Sequence, residues 1–249
     1  MSISFDEFKA LIDQCTDEER AALFDYLKTR VPEHPLEKEW GVAADVILSA
    51  INRSSDLTKR GVRGIIAEAI FERHILSKLK DWEIVSFVDD RPYDFLIRHR
   101  EIKGRAARIQ VKLQRMKKQQ AMFAVEANRH YPKDMYVVEV QKTRGGIDLQ
   151  TNEDTRPYRF GEFDVLAVNM HPSTRDWSRF LFTLGGWLIP RSPNEALVEI
   201  FQPVPGAPNE FWTDDLDTAL EWLAKGEKKR IFDIAPELLQ RRHRKSRGS

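Results

Sequence analysis

The sequence has a single cysteine, Cys15, among its 249 residues. It therefore cannot form an intramolecular disulfide or a zinc site built from several cysteines, and a reducing compartment is expected. No apolar run approaches the roughly 20 residues of a membrane span, and no basic segment followed by an apolar core stands near residue 1. These absences predict a cytoplasmic protein without a membrane partner.

Net charge is also nearly absent, because 40 Lys and Arg are balanced by 39 Asp and Glu to leave +1. The overall charge therefore does not indicate a nucleic-acid partner. The six histidines show no HxxxH or HExxH spacing, so no histidine-based metal site is predicted. Residues 61–64 (GVRG) lack the following Lys and Ser or Thr of a phosphate-binding loop, so no nucleotide cofactor is expected.

The N-terminal part of the chain has the pattern of amphipathic helices. Ser4 with Glu7 and Thr16 with Glu19 form two S/T-x-x-E capping boxes, which open apolar-periodic runs over 5–15 and 17–30. Residues 36–51 are predicted to form a third helix. No catalytic pattern occurs here, so three roles stay open: packing on the core, assembling a dimer, or helping to grip a substrate.

Three short strands are predicted in the middle of the chain. Residues 82–88 and 93–97 are rich in β-branched and aromatic side chains and are divided by the turn-like segment 89–92, which predicts a hairpin. Residues 107–113 (ARIQVKL) alternate, so Gln110 and Lys112 point to the same face, about 7 Å apart along the strand.

Asp94 begins the second of these strands. If that strand pairs with residues 107–113, its carboxylate reaches the same small volume as Gln110 and Lys112. A carboxylate, an amide oxygen and an ammonium group at one point are suited to a hard divalent metal and to phosphodiester hydrolysis. An exposed strand face with polar residues is also compatible with ordinary solvated surface.

The order of these elements resembles the PD-(D/E)XK nuclease superfamily. The family pattern is a helix with a Glu, a hairpin whose second strand carries the Asp, a third strand with (D/E)-x-K, then a helix and another strand. This chain offers Glu68 in the helical segment 58–79, then Asp94, then Gln110-Val111-Lys112, and later the nearly continuous apolar strand 163–168. The resemblance covers roughly residues 58 to 190.

The resemblance implies an α/β fold with a restriction-endonuclease-like core, an αβββαβ mixed sheet flanked by helices, and an N-terminal helical extension. The expected division is a helical extension at 1–55, a nuclease-like core at 56–205, a C-terminal helical segment packed on the core at 206–239, and a basic disordered tail at 240–249.

The activity implied is that of a Mg²⁺-dependent DNA endonuclease, with Mn²⁺ as a substitute, of the type II restriction class or a related defence or repair class. The implied catalytic residues are Glu68, Asp94, Gln110 and Lys112. The implied metal ligands are Asp94, Gln110, Glu68 and the carbonyl group of Val111.

Two features of this set stay open. The family has Asp or Glu where this chain has Gln110, whose amide oxygen can bind Mg²⁺ but brings no negative charge, so weaker metal binding is expected. Glu72 lies one helical turn beyond Glu68 and is an alternative to it.

Basic residues crowd the segment 98–118, where Glu101 is the only acid. Such clustering suits a phosphate backbone, although it also keeps a hairpin soluble. The candidate DNA-binding residues are Arg108, Arg115, Lys117, Lys118, Arg144 and Arg156. Surface ion pairs are the alternative role for these arginines. The resemblance also places an acid at Asp164, whose role could be structural.

Two other classes of protein remain compatible with the sequence. One is a catalytically inactive DNA-binding module that keeps the nuclease fold, which the neutral Gln110 favours. The other is a protein without a nucleic-acid partner, whose N-terminal helices mediate oligomerisation. A homodimer is favoured for an enzyme that cuts both strands of a symmetric site, but the sequence does not decide between monomer and dimer, or between DNA and RNA.

Overall fold

The structure, a computed structural model, describes residues 4–28, 30, 34–89, 91–142, 155–191 and 196–231. The chain divides into two compact units, Met1–Lys59 and Arg60–Ser249. Arg144 and the tail 240–249 lie outside the described residues. No helix in the described part of the chain is long and apolar enough to cross a membrane.

The first unit is helical, as predicted. Its helices are α1 (Phe5–Gln14), α2 (Asp17–Lys28), α3 (Pro35–Trp40) and α4 (Ala44–Arg53). The capping box that opens α1 is confirmed, since Ser4 Oγ accepts from the Glu7 backbone N–H at 3.3 Å and the Ser4 N–H donates to the Glu7 carboxylate at 2.8 Å. None of the described residues of this unit is buried.

The prediction of one helix over 36–51 is wrong. Gly41 adopts the left-handed conformation, with φ at 63°, and its backbone N–H donates to the Glu37 carbonyl oxygen. This geometry ends α3, because glycine is the residue that adopts positive φ without steric strain. The chain then starts α4 three residues later.

The second unit is built on a five-stranded mixed sheet preceded by the long helix α5 (Asp56–His74). Its strands are β1 (Trp82–Ile84), β2 (Phe95–His99), β3 (Ala106–Leu113), β7 (Val165–Asn169) and β8 (Phe180–Leu184), in the spatial order β1-β2-β3-β7-β8. Only the β3–β7 pair is parallel. The predicted hairpin and the strand that follows it are therefore confirmed.

Helix α5 covers one face of this sheet through Phe71, which is fully buried. The Phe71 ring lies 5.4 Å from the rings of both Phe95 and Phe180, and 6.3 Å from that of Phe182. These three partners belong to β2 and β8, which flank the central pair β3–β7. The Phe71 side chain therefore packs α5 against strands on either side of the sheet centre. By strand register, the same face also carries Ile109 and Val111 of β3.

The connection from β3 to β7 differs from the expected core helix. Its described residues form a small hairpin of β4 (Met116–Lys117) and β5 (Gln120–Ala121), the single-turn helix α6 (Ala124–Ala127) and strand β6 (Tyr136–Glu139). The mixed α/β sheet is thus observed, whereas in the described part of this connection only the single-turn α6 stands where the αβββαβ pattern has a core helix.

A second, two-stranded sheet pairs β6 with β9 (Phe201–Val204). The prolines within residues 201–211 are typical of a loop, but the first four of these residues form a strand. Pro203 stands opposite Val137 in the antiparallel register. A proline is tolerated there because β9 is an edge strand, where a missing N–H leaves no neighbour unsatisfied.

The remaining elements complete the second unit. Helix α7 (His171–Thr174) is a single turn after β7, and a 3₁₀ turn (Gly185–Trp187) follows β8. Helix α8 (Leu216–Lys225) lies against β8 and is capped by Asp215, whose side chain accepts from the Thr218 backbone N–H at 3.1 Å. The predicted C-terminal segment 206–239 thus contains a helix in its described part.

Candidate metal and phosphate site

Asp94 is placed by the backbone pairing of β2 with β3. Its N–H donates to the Ile109 carbonyl oxygen at 3.0 Å, which extends the β2–β3 ladder by one residue. Its carboxylate oxygen Oδ2 accepts from the Val111 backbone N–H at 2.7 Å and from Gln110 Nε2 at 2.5 Å. Asp94 is therefore fixed to the middle of β3 by main-chain and side-chain donors together.

Gln110 is almost fully buried, with 2% of its surface exposed. Its Nε2 group donates to Asp94 and, at 3.3 Å, to the Val111 carbonyl oxygen. The amide therefore neutralises no charge on Asp94, but it satisfies one lone pair of the carboxylate. The amide oxygen Oε1 is the atom that remains for a cation.

Lys112 points to the same face of β3 as Gln110, since side chains alternate along a strand. Within the described residues its ammonium group has no hydrogen bond or ion pair, and its Nζ lies 5.5 Å from the centre of the Tyr158 ring. Burial lowers the pKa of Lys112, while the negative charges of Asp94, Glu68 and Glu139 act in the opposite direction. An ammonium group this poorly paired is available to an anionic ligand.

Glu68 lies on α5, near enough to Asp94 and Lys112 for their charges to act on its carboxylate. Burial, together with the charge of Asp94, raises the pKa of Glu68 to about 7, and Lys112 opposes this shift. Burial also raises the pKa of Asp94, against the effects of Lys112 and of its two hydrogen-bond donors. Glu72, the alternative on the same helix, is exposed. Of the two glutamates, Glu68 is the one whose charge interacts with Asp94 and Lys112.

Three further residues are linked to Lys112 through ring contacts or charge, and the sequence gives no local sign of them. Tyr158, which is 3% exposed, lies with its ring 5.5 Å from both Lys112 Nζ and Lys142 Nζ. Lys142 also pairs with Glu162 at 2.7 Å. Glu139 of β6 is the third acid whose charge acts on Lys112. All three come from segments distant in sequence, so only the tertiary fold identifies them.

The donor atoms of this cluster fit a hard divalent cation. Asp94 and Glu68 contribute carboxylates, Gln110 an amide oxygen and Val111 a carbonyl group, and such oxygen ligands are those that Mg²⁺ and Mn²⁺ prefer. No group of three or more His, Cys, Asp or Glu with metal-binding geometry occurs in the described ranges. The candidate ligand set therefore has two anionic members and depends on neutral oxygens for the rest.

Arg108 and Asp164 form a separate, structural contact. The Arg108 guanidinium binds the Asp164 carboxylate through Nε at 2.9 Å and Nη2 at 2.7 Å, and the Arg108 backbone N–H donates to the same carboxylate at 2.8 Å. This bidentate pair joins β3 to the residue before β7. Asp164 thus has a structural partner, and Arg108 would have to exchange it to bind a phosphate.

The other candidate DNA-binding residues lie in different surroundings. Arg115 pairs with Glu139 at 2.5 Å, and Lys117 pairs with Glu126 at 2.7 Å. Lys118 is exposed at the tip of the β4–β5 hairpin, and Arg156 is half-buried. Ion pairs at an exposed surface contribute about 0–1 kcal/mol, so a phosphate could replace the acid partner of Lys117 at low cost.

Comparison of the sequence with protein-family models and with curated proteins gives no match. Among solved structures, the chain is similar to that of a bacterial homing endonuclease, I-Ssp6803I, with 15% sequence identity and a TM-score of 0.33. The similarity covers 75% of this chain and 95% of that one.

Proposed function

We propose that this chain is a divalent-metal-dependent endonuclease that hydrolyses DNA phosphodiester bonds, of the type II restriction class or a related defence or repair class. The observation that carries the proposal is the convergence of Asp94, Gln110 and Lys112, in which the Asp94 carboxylate contacts two donors on β3. The expected cofactor is Mg²⁺, with Mn²⁺ as a substitute.

Asp94 and Glu68, with the oxygens of Gln110 and Val111, would hold the cation. When bound, such a cation polarises the scissile phosphate and lowers the pKa of a water molecule. Lys112 donates to the phosphate oxygens or to the attacking water, and offsets the negative charge that develops during attack. Tyr158 keeps the Lys112 ammonium close to the site through its ring face.

The direct test is plasmid cleavage by the purified protein in Mg²⁺, repeated with EDTA. Asp94→Ala and Lys112→Ala are each expected to lower the cleavage rate by at least about 100-fold, because each removes a group that stabilises the transition state. Their matched controls are Asp89→Ala and Lys80→Ala, which change exposed residues of the same types.

Circular dichroism checks that the inactive variants are folded. Full cleavage by either site variant would refute the assignment of the site, and cleavage unaffected by EDTA would refute the metal requirement. RNA and single-stranded DNA, assayed in parallel, decide the nucleic-acid class.

A second function is favoured by one specific observation. Gln110 gives Asp94 a hydrogen bond where the PD-(D/E)XK pattern has an acid, so the cluster holds two candidate carboxylate ligands. A DNA-binding module without turnover would fit that composition. Retention of DNA that weakens as salt rises, with no cleavage in Mg²⁺ or Mn²⁺, would identify this alternative.

A further inference from the structure

The hairpin formed by β4 and β5 has a strained connection. Only Lys118 and Gln119 join the two strands, with φ values of 49° and 63°. Positive φ at both central residues is the geometry of a type I′ turn, for which Asn-Gly is the preferred sequence. Residues with longer side chains are disfavoured in this left-handed region. Turn geometry alone therefore does not account for Lys and Gln at these positions.

The base of this hairpin is fixed to the second sheet. The Arg115 N–H donates to the Val137 carbonyl oxygen at 2.8 Å, and the Val137 N–H donates to the Met122 carbonyl oxygen at 3.1 Å. Arg115 and Met122 are themselves joined at 2.9 Å. At one side, Lys117 is held by Glu126. The hairpin therefore projects from an anchored base, and the orientation of its tip follows from the strands.

The tip presents side chains suited to reading bases. Lys118, Gln119 and Gln120 are all exposed. A glutamine amide can form two hydrogen bonds with the major-groove edge of adenine, and a lysine can bind guanine or a phosphate. The major groove also admits a two-stranded β-ribbon. The tip thus combines a suitable shape with both kinds of contact.

We propose that the β4–β5 hairpin enters the major groove of DNA and that Gln119 and Gln120 determine sequence preference there, with Lys118 binding the backbone or a guanine. This inference rests on the proposed nuclease function. Lys118 is six residues from Lys112, which places the tip at most about 20 Å from the candidate site. The bases read would therefore lie within about six base pairs of the scissile phosphate.

The first experiment measures sequence preference. The full chain cleaves a randomised duplex library in Mg²⁺, and the ends of the products are sequenced. Gln119→Ala and Gln120→Ala are each expected to reduce the preference at one or two positions by about 5- to 100-fold, as expected for the loss of one bidentate base contact. Gln14→Ala removes an exposed glutamine from α1 and is expected to leave the preference unchanged.

The second experiment separates recognition from folding. The double variant Lys118→Asn/Gln119→Gly installs the preferred turn sequence, so its Tm is expected to rise by about 2–6 °C. Its sequence preference is nevertheless expected to fall as in Gln119→Ala. A gain in Tm together with an unchanged preference would overturn the proposal, because the hairpin would then be only a structural turn.

The two proposals fail in distinguishable ways. If the wild-type chain cleaves no nucleic acid, the nuclease function itself is refuted. If it cleaves with a clear preference that the glutamine variants retain, or with a preference that lies farther than about six base pairs from the cut, the role of the hairpin is refuted and the nuclease function stands. A wild-type enzyme that cuts without any preference also refutes the role of the hairpin.

Discussion

The two units of this chain use their apolar side chains in opposite ways. In the first unit, no described residue is buried, and Phe5, Phe24 and Leu48 expose 71%, 60% and 65% of their surface. In the second unit, every residue of β7 and β8 is buried. The first unit therefore owes its helices to local signals such as capping boxes, whereas the second owes its sheet to long-range packing.

The two units also differ in net charge. Residues 1–59 carry 12 Asp and Glu against 7 Lys and Arg, whereas residues 60–249 carry 27 against 33. An acidic unit is repelled by a phosphate backbone, so the DNA contacts that the proposed function requires would come from the second unit. All four candidate catalytic residues lie in that unit. The candidate catalytic residues therefore belong to the unit that has a packed core.

The largest expected contrast in stability is between two leucines. Leu166 is fully buried in β7, so Leu166→Ala is expected to lower the free energy of unfolding by about 2–5 kcal/mol. Leu48→Ala, at an exposed position of α4, should change it by less than about 0.5 kcal/mol. Denaturant unfolding followed by tryptophan fluorescence measures both. A large loss in Leu48→Ala would show that the first unit buries its apolar faces in solution.

A smaller effect is expected from the two glycines after β8. A Cβ atom at Gly185 would lie 2.6 Å from the Phe163 carbonyl oxygen, whereas one at Gly186 would meet nothing within 4 Å. Gly185→Ala should therefore cost about 1–3 kcal/mol, because the backbone before β7 must move. Gly186→Ala is the matched control. Equal unfolding free energies for the two variants would contradict the close approach of Gly185 to the Phe163 backbone.

The third expected effect depends on pH. The pKa of Glu68 is raised to about 7 in the folded protein, so the folded state holds this proton more firmly than the unfolded state does. Stability from this group is complete below the unfolded pKa and is lost as pH rises to about 7. In metal-free buffer, Glu68→Gln should therefore stabilise the protein by about 1–2 kcal/mol more at pH 8 than at pH 5, after allowance for solvent screening.

Glu72→Gln is the control for this measurement, because it removes an exposed carboxylate from the same helix. Urea unfolding at the two pH values gives the comparison. If both variants respond to pH alike, Glu68 does not lie in the environment described here.

The smallest effect concerns the first unit alone. Ser4→Ala removes the side chain that accepts from the Glu7 N–H. Amide hydrogen exchange in the first turn of α1 is expected to accelerate by about 2- to 10-fold. The tryptophan-detected unfolding of the second unit should not change, since five of the six tryptophans lie beyond residue 59. A coupled change would indicate that the two units unfold together.

Much of the site follows from the sequence, because its central part is local. The alternation of residues 107–113 and the turn before Asp94 are enough to predict the β2–β3 pairing and the contact of Asp94 with Gln110. The capping boxes likewise predict where α1 and α2 begin. In each case the structure is determined by residues within a few positions of one another.

The features that could not be predicted depend on tertiary context or on single backbone conformations. Tyr158 and Glu139 reach Lys112 from other strands and loops, and no spacing in the sequence links them to it. Helix α3 ends at Gly41 because this residue adopts a left-handed φ. The helical periodicity of the neighbouring residues gives no indication of that conformation. Pro203 argues against a strand, and only an edge position next to β6 makes it acceptable.

The contact between Asp94 and the main chain of β3 has a consequence for redesign. Because the Val111 backbone N–H supplies the donor, at 2.7 Å, a substitution at position 111 removes that donor only when it introduces proline. Changes in the size of the side chain there would alter how the sheet packs beneath the carboxylate, and would leave the bond itself in place. Position 111 therefore offers a way to change the packing beneath the candidate site while the Asp94 carboxylate keeps its main-chain hydrogen bond.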